Sequence, residues 1–328
     1  MTGGRVRVVN VAEDQSGQRL DRWLRRAFPV VPQSLLQRLL RSGQIRVEGK
    51  RVKADFRLHV GQSVRLPPQL SDGDPKSMPR PHPGGALVEA LREAILFEDD
   101  WVLALNKPAG LAVQGGSGQM QSIDRLAAGL VSGEIAPRLV HRLDRDTSGV
   151  LLLAKRADAA RSLAASFKGR TARKLYYALV QGVPKQQAGR IAAPLAKRGA
   201  AGRQRIYTDA EGQDAETLFA LADKAGGKAS LLVLAPLTGR THQIRAHLAA
   251  IRHPILGDLK YGAGKNPTGT LSGLMLHAAE LAVPHPEDGT TLRVAAPPPP
   301  AFQEACQALG LRLDGVADAL KQLELRGG

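Results

Sequence analysis

The chain has 328 residues, 43% hydrophobic and 23% charged, enough for two domains with a core each, and 46 Lys and Arg against 30 Asp and Glu give a net charge of +16. A pI near 10.4 points to a polyanionic partner, because cations that neutralise phosphates release bound counterions, and 4% aromatics exclude binding that leans mainly on stacked rings. A single cysteine, Cys306, excludes an internal disulfide framework and a thiolate zinc site; with no signal-peptide core and no run near about eighteen apolar residues, the expected location is the cytoplasm, with no membrane partner.

Residues 1–70 hold 14 Lys and Arg against 5 Asp and Glu, over half the net charge, and read as a module of their own. Leu20, Trp23, Leu24 and Ala27 recur at helical spacing, which predicts a helix with Arg22, Arg25 and Arg26 off its apolar face. A second helix is predicted from Ser34, as N-cap, to Ser42, with Leu35, Leu36, Leu39 and Leu40 inward, Arg38 and Arg41 off the stripe, and Gly43 as its stop. "QIRVEGKRVK" reads as strand, Glu-Gly turn, strand, and "GQSVRLP" as a further strand. Solvated helix faces usually mix acid with base. These hardly do, which favours phosphate contact.

Residues 71–90, in a run dense in Pro, Gly, Ser and Asp, read as a flexible linker. Beyond it, "DDWVLALNKPAG" reads as turn, strand, turn, and "GVLLLAKR" as a strand apolar on both faces. Ala160, Leu163, Ala164 and Phe167 mark a helix that stops at Gly169. "KLYYALVQG", "AETLFALAD" and "ASLLVLAP" are predicted strands, and "TGRTHQIRAHLAAI" a helix with Ile244, Leu248 and Ile251 on one face. Strands following one another with few helices between them predict an α+β fold with a mixed, mostly antiparallel sheet. Residues 91–302 form the expected main domain and 303–328 a helical tail.

No P-loop, dinucleotide fingerprint, zinc-helix histidine pair or Gly-x-Ser-x-Gly elbow occurs, so no metal or organic cofactor has a recognisable home. What remains is "HRLDRDTSG" at 141–149, where Arg142, Asp144, Arg145 and Asp146 crowd the mouth of an apolar strand. A loop carried on a rigid strand suits catalytic side chains, and it also suits a salt-bridged surface turn. Other polar motifs at strand ends tip the balance: "NKPAG", "KLYYA", "GRTHQIRAH" and "LHA". His141, His242, His247 and His277 read as hydrogen-bonding core or supporting groups rather than acids.

"HRLDRDTSGVLLLAK" resembles the central motif of the ribosomal large-subunit pseudouridine synthases. "NKPAGLAV…GGSG", "RKLYYALVQG", "PLTGRTHQIRAHL…RHPILGDLKYG" and "LMLHAAEL…HP" follow in that family's order over about residues 92–302. The front module resembles the S4-type RNA-binding domain. The resemblance implies the fold of those synthases, no cofactor, and isomerisation of uridine to pseudouridine in large-subunit ribosomal RNA or its assembly intermediate, by a monomer. It implies Asp144 as the catalytic aspartate, Tyr176 as the tyrosine packing on the target base, and Arg245 as the aspartate's partner. Arg142 matches the residue that fills the gap left by the flipped base, and Leu276 an apolar wall of the pocket. Lys174, Arg240 and the front module's Arg22, Arg25, Arg26, Arg38 and Arg41 are expected to meet RNA. Gln114 departs from the histidine that many relatives carry there. Other uridine sites in rRNA or tRNA, a non-catalytic assembly factor, and an RNA glycosylase are the competing readings.

Overall fold

Leu20, Trp23, Leu24 and Ala27 are all buried, and they seat helix α1 (Leu20–Ala27) against α2 (Gln33–Arg41) over a small antiparallel sheet. The structure is a computed structural model, and it describes residues 6–28, 31, 33–70, 85–115, 121–131, 136–199, 205–262 and 273–327. Contacts divide the chain into two units, Met1–His82 and Pro83–Gly328. The sheet of the first unit runs in the order β1-β3-β2, from β1 (Arg7–Asn10), β2 (Arg46–Val47) and β3 (Ser63–Leu66).

Gly43, at φ 71°, ends α2 as expected. The start differs: the helix already includes Gln33, so Ser34 lies inside it instead of capping it. Pro32, just ahead in sequence, suits a first helical turn and is the stronger start signal. Glu48 and Gly49, at φ 50° and 70°, make the expected tight turn, across which Val47 and Lys50 exchange backbone hydrogen bonds of 2.9 and 3.0 Å. The segment after it does not continue as a strand, because β2 pairs with β3 instead.

The second unit begins with α3 (Gly85–Glu93), which buries Val88 and Leu91. The expected linker therefore does not reach 90, and its residues 71–84 lie outside the described residues. In chain order come β4 (Ile95–Glu98), β5 (Val102–Lys107), α4 (Ile123–Leu126), β6 (Arg138–Leu139), β7 (Ser148–Ala154), α5 (Ala157–Lys168), β8 (Arg173–Gln181) and β9 (Ala188–Ala192). Then follow β10 (Leu195–Arg198), β11 (Arg205–Thr208), β12 (Glu216–Ala225), β13 (Ala229–Pro236), α6 (Gln243–Ala250), β14 (Leu276–Pro284), β15 (Thr291–Ala295), α7 (Pro300–Leu309) and α8 (Val316–Gly327).

Ten strands among the described residues form one sheet with the path β4-β5-β7-β14-β8-β13-β12-β9, β6 pairing with β7 and β15 with β14. Every pairing in it is antiparallel except β7 with β14. β10 and β11 form a separate ribbon.

All seven residues of β7 are buried because both sheet faces are covered. Leu151 and Leu153 pack with Val88, Leu91, Ile123 and Leu126, while Val150 and Leu152 pack with Ala159 and Leu163 of α5. The α5 stripe is rotated slightly from the expected one: Ala159 and Leu163 are buried and Ala164 is exposed. The segment 303–328 is not a trailing tail. Phe302, Ala305 and Cys306 of α7 join the core with Leu231 and Leu232, and Ala319 and Leu323 of α8 cover Leu218, Ala220 and Val233.

Parallel pairing joins β7 to β14 through only two residue pairs, Ser148 with His277 and Ala278 with Gly149. Gly149 has φ 110°, and a Cβ there would lie 2.1 Å from the Ala278 carbonyl oxygen, so this close approach requires glycine. The charged loop enters the sheet at this narrow seam.

Candidate active site

The loop at 141–147 is charged yet held at many points. Leu143 is its buried anchor. His141 stacks on Phe167 with ring centroids 4.5 Å apart, and its Nε2 accepts the Leu152 N–H at 2.8 Å. That bond needs a neutral ring, and burial, aided by the charge of Lys174, pushes the His141 pKa down to about 3. Thr147 N–H closes a turn on the Asp144 carbonyl at 3.2 Å. The Arg145 carbonyl accepts from Gly110 N–H and from Lys107 Nζ, each at 2.9 Å.

Lys107 is fully buried at the end of β5. Its Nζ also donates to the carbonyls of Pro108 and Leu111 at 2.7 and 2.9 Å, one acceptor for each ammonium proton. Burial pushes its pKa down to about 7, against the pull of Asp146 and Asp144. The polar "NKPAG" segment thus serves as the foundation of the 141–147 loop. Asp146 pairs locally with Arg145 at 2.9 Å.

Helix α6 brings Arg245 to Asp144 across about a hundred residues of sequence. Arg245 Nη1 lies 3.3 Å from Asp144 Oδ2. Its Nε and Nη2 each donate at 2.8 Å to the two oxygens of Asp258, and the guanidinium sits 5.1 Å above the Tyr261 ring. Burial opposes the charge of Arg245, but the Asp258 and Asp144 carboxylates more than offset this and raise its pKa. Burial likewise opposes the charge of Asp258, while Arg245 and the N–H groups of Tyr261 and Lys260 hold its pKa below the usual carboxylate range. Asp258 is fully enclosed, Arg245 nearly so, and the Asp144 side chain keeps 18% exposure, so of the two carboxylates on Arg245 Asp144 is the one open to solvent.

The start of α6 explains why "TGRTH" is not helical, contrary to expectation. Gln243 accepts from the Thr238 hydroxyl and from Arg240 N–H at 2.7 and 3.0 Å, and donates to the Glu216 carbonyl and to Thr217 Oγ1 at 2.8 and 3.0 Å. These bonds pin the chain in a turn until His242, which has φ 52°. His247 donates from Nε2 to the Ala193 carbonyl and accepts from Thr217; His277 donates to the Ala296 carbonyl and accepts from Ser148 across the seam, at 2.9 Å. Burial lowers the pKa of both, and both act as supports, as the sequence suggests.

His242 is the exception among the histidines. Its Nε2 lies 3.7 Å from Asp144 Oδ2, inside the site. Asp258 and Tyr261 escaped the sequence reading, although "GDLKYG" contains both; a Gly-Asp turn is the one local signal there, and it does not say which arginine it serves.

Tyr176 projects from β8 beside Ala278 and Leu234, half-buried against two core clusters. Burial, and then the charge of Asp144, push its hydroxyl pKa up, so it is a neutral phenol. Lys174, on the same side of β8, is half-buried with Nζ 3.4 Å from the Thr238 carbonyl, and burial followed by Arg170 lowers its pKa. Leu276 is buried at the start of β14 beside Ile244. Arg142 is exposed, with no hydrogen bond or ion pair to the described residues. Arg240 is exposed and donates to the Asp214 carbonyl at 3.0 Å. Gln114 is exposed, and the "GGSG" segment beyond Gly115 lies outside the described residues.

The other RNA-binding candidates belong to the first unit. Arg22, Arg26, Arg38 and Arg41 are exposed and Arg25 is half-buried, all off the core face. Among the described residues no group of three or more His, Cys, Asp or Glu could hold a metal ion, and no helix is long and apolar enough to cross a membrane.

Known families match both units of the chain. The RNA pseudouridylate synthase family matches residues 101–250, and the S4 domain matches residues 18–64. The chain is 39% identical over 311 residues to ribosomal large subunit pseudouridine synthase C of Vibrio vulnificus, covering 93% of this chain and 97% of that protein. It is 40% identical over 318 residues to the protein of the same name from Escherichia coli K12, with the same coverage. Human RNA pseudouridylate synthase domain containing 4 superposes with a TM-score of 0.60 at 30% identity, over 70% of this chain and 97% of that one. A carboxylate with one accessible flank, a buried arginine behind it, and these relatives lead to one conclusion: the chain belongs to the RNA pseudouridylate synthases, isomerases that convert uridine to pseudouridine in RNA, and it carries an S4 RNA-binding domain.

Proposed function

We propose that the chain modifies uridines of large-subunit ribosomal RNA, with Asp144 as the reacting carboxylate. The observation that carries the residue assignment is the grading of exposure along Asp144, Arg245 and Asp258: an accessible acid backed by a buried cation, itself fixed by an enclosed acid. The RNA target is supported by relatives about 40% identical over 93% of the chain that act on the ribosomal large subunit.

In the reaction the N1–C1′ bond breaks, the base turns, C5 bonds to C1′, the C5 proton leaves and N1 gains one. No water or electron enters the balance. Attack at C1′ and proton abstraction at C2′ each need one carboxylate in contact with the ribose, the part taken by Asp144. Arg245 holds that carboxylate at Oδ2. The uridine must leave its stack, at a cost of a few kcal/mol. Tyr176 offers the extruded base a ring face and Leu276 an apolar wall, while exposed Arg142 occupies the vacated space. Lys174 and Arg240, with Arg22, Arg25, Arg26, Arg38 and Arg41 of the S4 domain, meet phosphates. Ribosomal RNA or its assembling subunit as substrate implies a cytoplasmic enzyme.

The test uses a large-subunit rRNA transcript tritiated at uridine C5, because each isomerisation releases that hydrogen to water. Wild-type protein is expected to release tritium and Asp144→Ala none, with RNA binding kept. Free uracil and abasic RNA would instead indicate a glycosylase, and turnover by Asp144→Ala would refute the residue assignment.

A further inference from the structure

His242 stands at the head of α6 with φ 52°, a region that residues with side chains seldom occupy, and its side chain caps no helix N–H. Backbone held there beside a reacting group marks geometry that the surroundings impose. The ring is fixed on one side by Tyr261: Nδ1 lies 2.9 Å from Tyr261 Oη, with the two rings edge to face at 84°. Tyr261 Oη in turn accepts the Ile206 N–H of β11 at 2.9 Å. With that N–H as donor, the phenol proton has Nδ1 as its acceptor among the described residues, which leaves the imidazole proton on Nε2. Nε2 lies 3.7 Å from Asp144 Oδ2, the same oxygen that Arg245 reaches at 3.3 Å, whereas Asp144 Oδ1 has no partner among the described residues.

We propose that His242 is a positioning residue for the isomerisation: its Nε2–H, together with Arg245, holds Oδ2 of Asp144 so that Oδ1 faces the ribose. This rests on Asp144 as the reacting carboxylate. The 3.7 Å gap closes when RNA fills the site, since catalytic hydrogen bonds tighten in the loaded complex. Tyr261 extends the grip to the β10–β11 ribbon, whose exposed Lys197 and Arg205 suit phosphate contact. Strand β11 and the carboxylate are thereby linked through Ile206, Tyr261 and His242.

Tritium release from the same transcript, with kcat and KM measured separately, tests this in His242→Asn, Tyr261→Phe and Asp144→Ala. Asparagine tolerates positive φ, and its amide oxygen can accept the Tyr261 proton, so His242→Asn removes mainly the donor aimed at Asp144. The expected result is a kcat lowered about 10- to 100-fold with KM within about threefold, the loss expected for a slightly misplaced reacting group. Tyr261→Phe shifts kcat in the same direction by less, and in at least one of the two variants the melting temperature is unchanged. Values of kcat within twofold of wild type in both variants overturn the proposal, as does a loss confined to KM or one that appears only with a fallen melting temperature in both. Turnover by Asp144→Ala overturns the underlying assignment, and this inference with it.

Discussion

Arg245 sits between two carboxylates that do different work. The fully enclosed Asp258 takes two of its nitrogens at 2.8 Å, which sets the guanidinium plane and leaves Nη1 for Asp144. Lysine, a point charge, could not meet both acids in this geometry. That Arg245 meets Asp144 was legible because both lie inside long, specific motifs. Asp258, Tyr261 and Lys107 were not, because their roles arise from contacts that only the folded chain creates; His242 was read as a support because nothing local marks it as facing Asp144. His141 carries a pH prediction. Its folded pKa, about 3, lies below the ordinary value of 6.5, so between those values the unfolded chain binds a proton that the folded chain refuses. Stability is therefore expected to fall as pH drops from about 6.5 toward 3. His141→Gln keeps an acceptor for the Leu152 N–H and cannot titrate. Urea unfolding at stepped pH should show a shallower decline in this variant, and identical slopes would count against a neutral His141.

At the scale of elements, the seam between β7 and β14 decides where the site can be. Two residue pairs, the Ser148–His277 hydrogen bond at 2.9 Å and the close approach at Gly149 hold the strand directly behind the Asp144 loop. Gly149→Ala places a methyl group against the Ala278 backbone at a positive φ. It is expected to destabilise the protein by about 2–4 kcal/mol in denaturant titration and to lower turnover. A variant with wild-type stability would show that the seam is more pliable than drawn. The strongly periodic elements were readable: α1, the doubly buried β7 and the paired strands β12 and β13. The β10–β11 ribbon and the two-residue β6 were not, since such short strands carry little pattern of their own; β2 and β3 were readable only because a Glu-Gly turn and a clean alternation mark them. The start of α6 was misjudged because the stripe of Ile244, Leu248 and Ile251 was carried back through "TGRTH", whose Gly and two Thr are weak helix formers and which the Gln243 hydrogen bonds to Glu216, Thr217 and Thr238 hold in a turn.

On the scale of the whole molecule, charge and chemistry are divided between two units. Most of the described cations among residues 1–70 lie on exposed positions of the first unit, and Asp144, the carboxylate proposed to react, lies in the second. Removing residues 1–82 is therefore expected to weaken RNA binding and to flatten the dependence of log K on log salt by about 0.7–0.9 per lost phosphate contact, while the catalytic unit still converts RNA at high concentration. Unchanged affinity and slope across a salt titration would remove the S4 domain from substrate binding. The central claim is that Asp144 of this chain isomerises uridines in large-subunit ribosomal RNA, and carbodiimide primer-extension mapping of that RNA tests it most directly. In cells lacking the gene, the stops at one or more uridines should vanish, return with the wild-type chain and stay absent with Asp144→Ala. Stops that persist without the gene, or that return with Asp144→Ala, would contradict it.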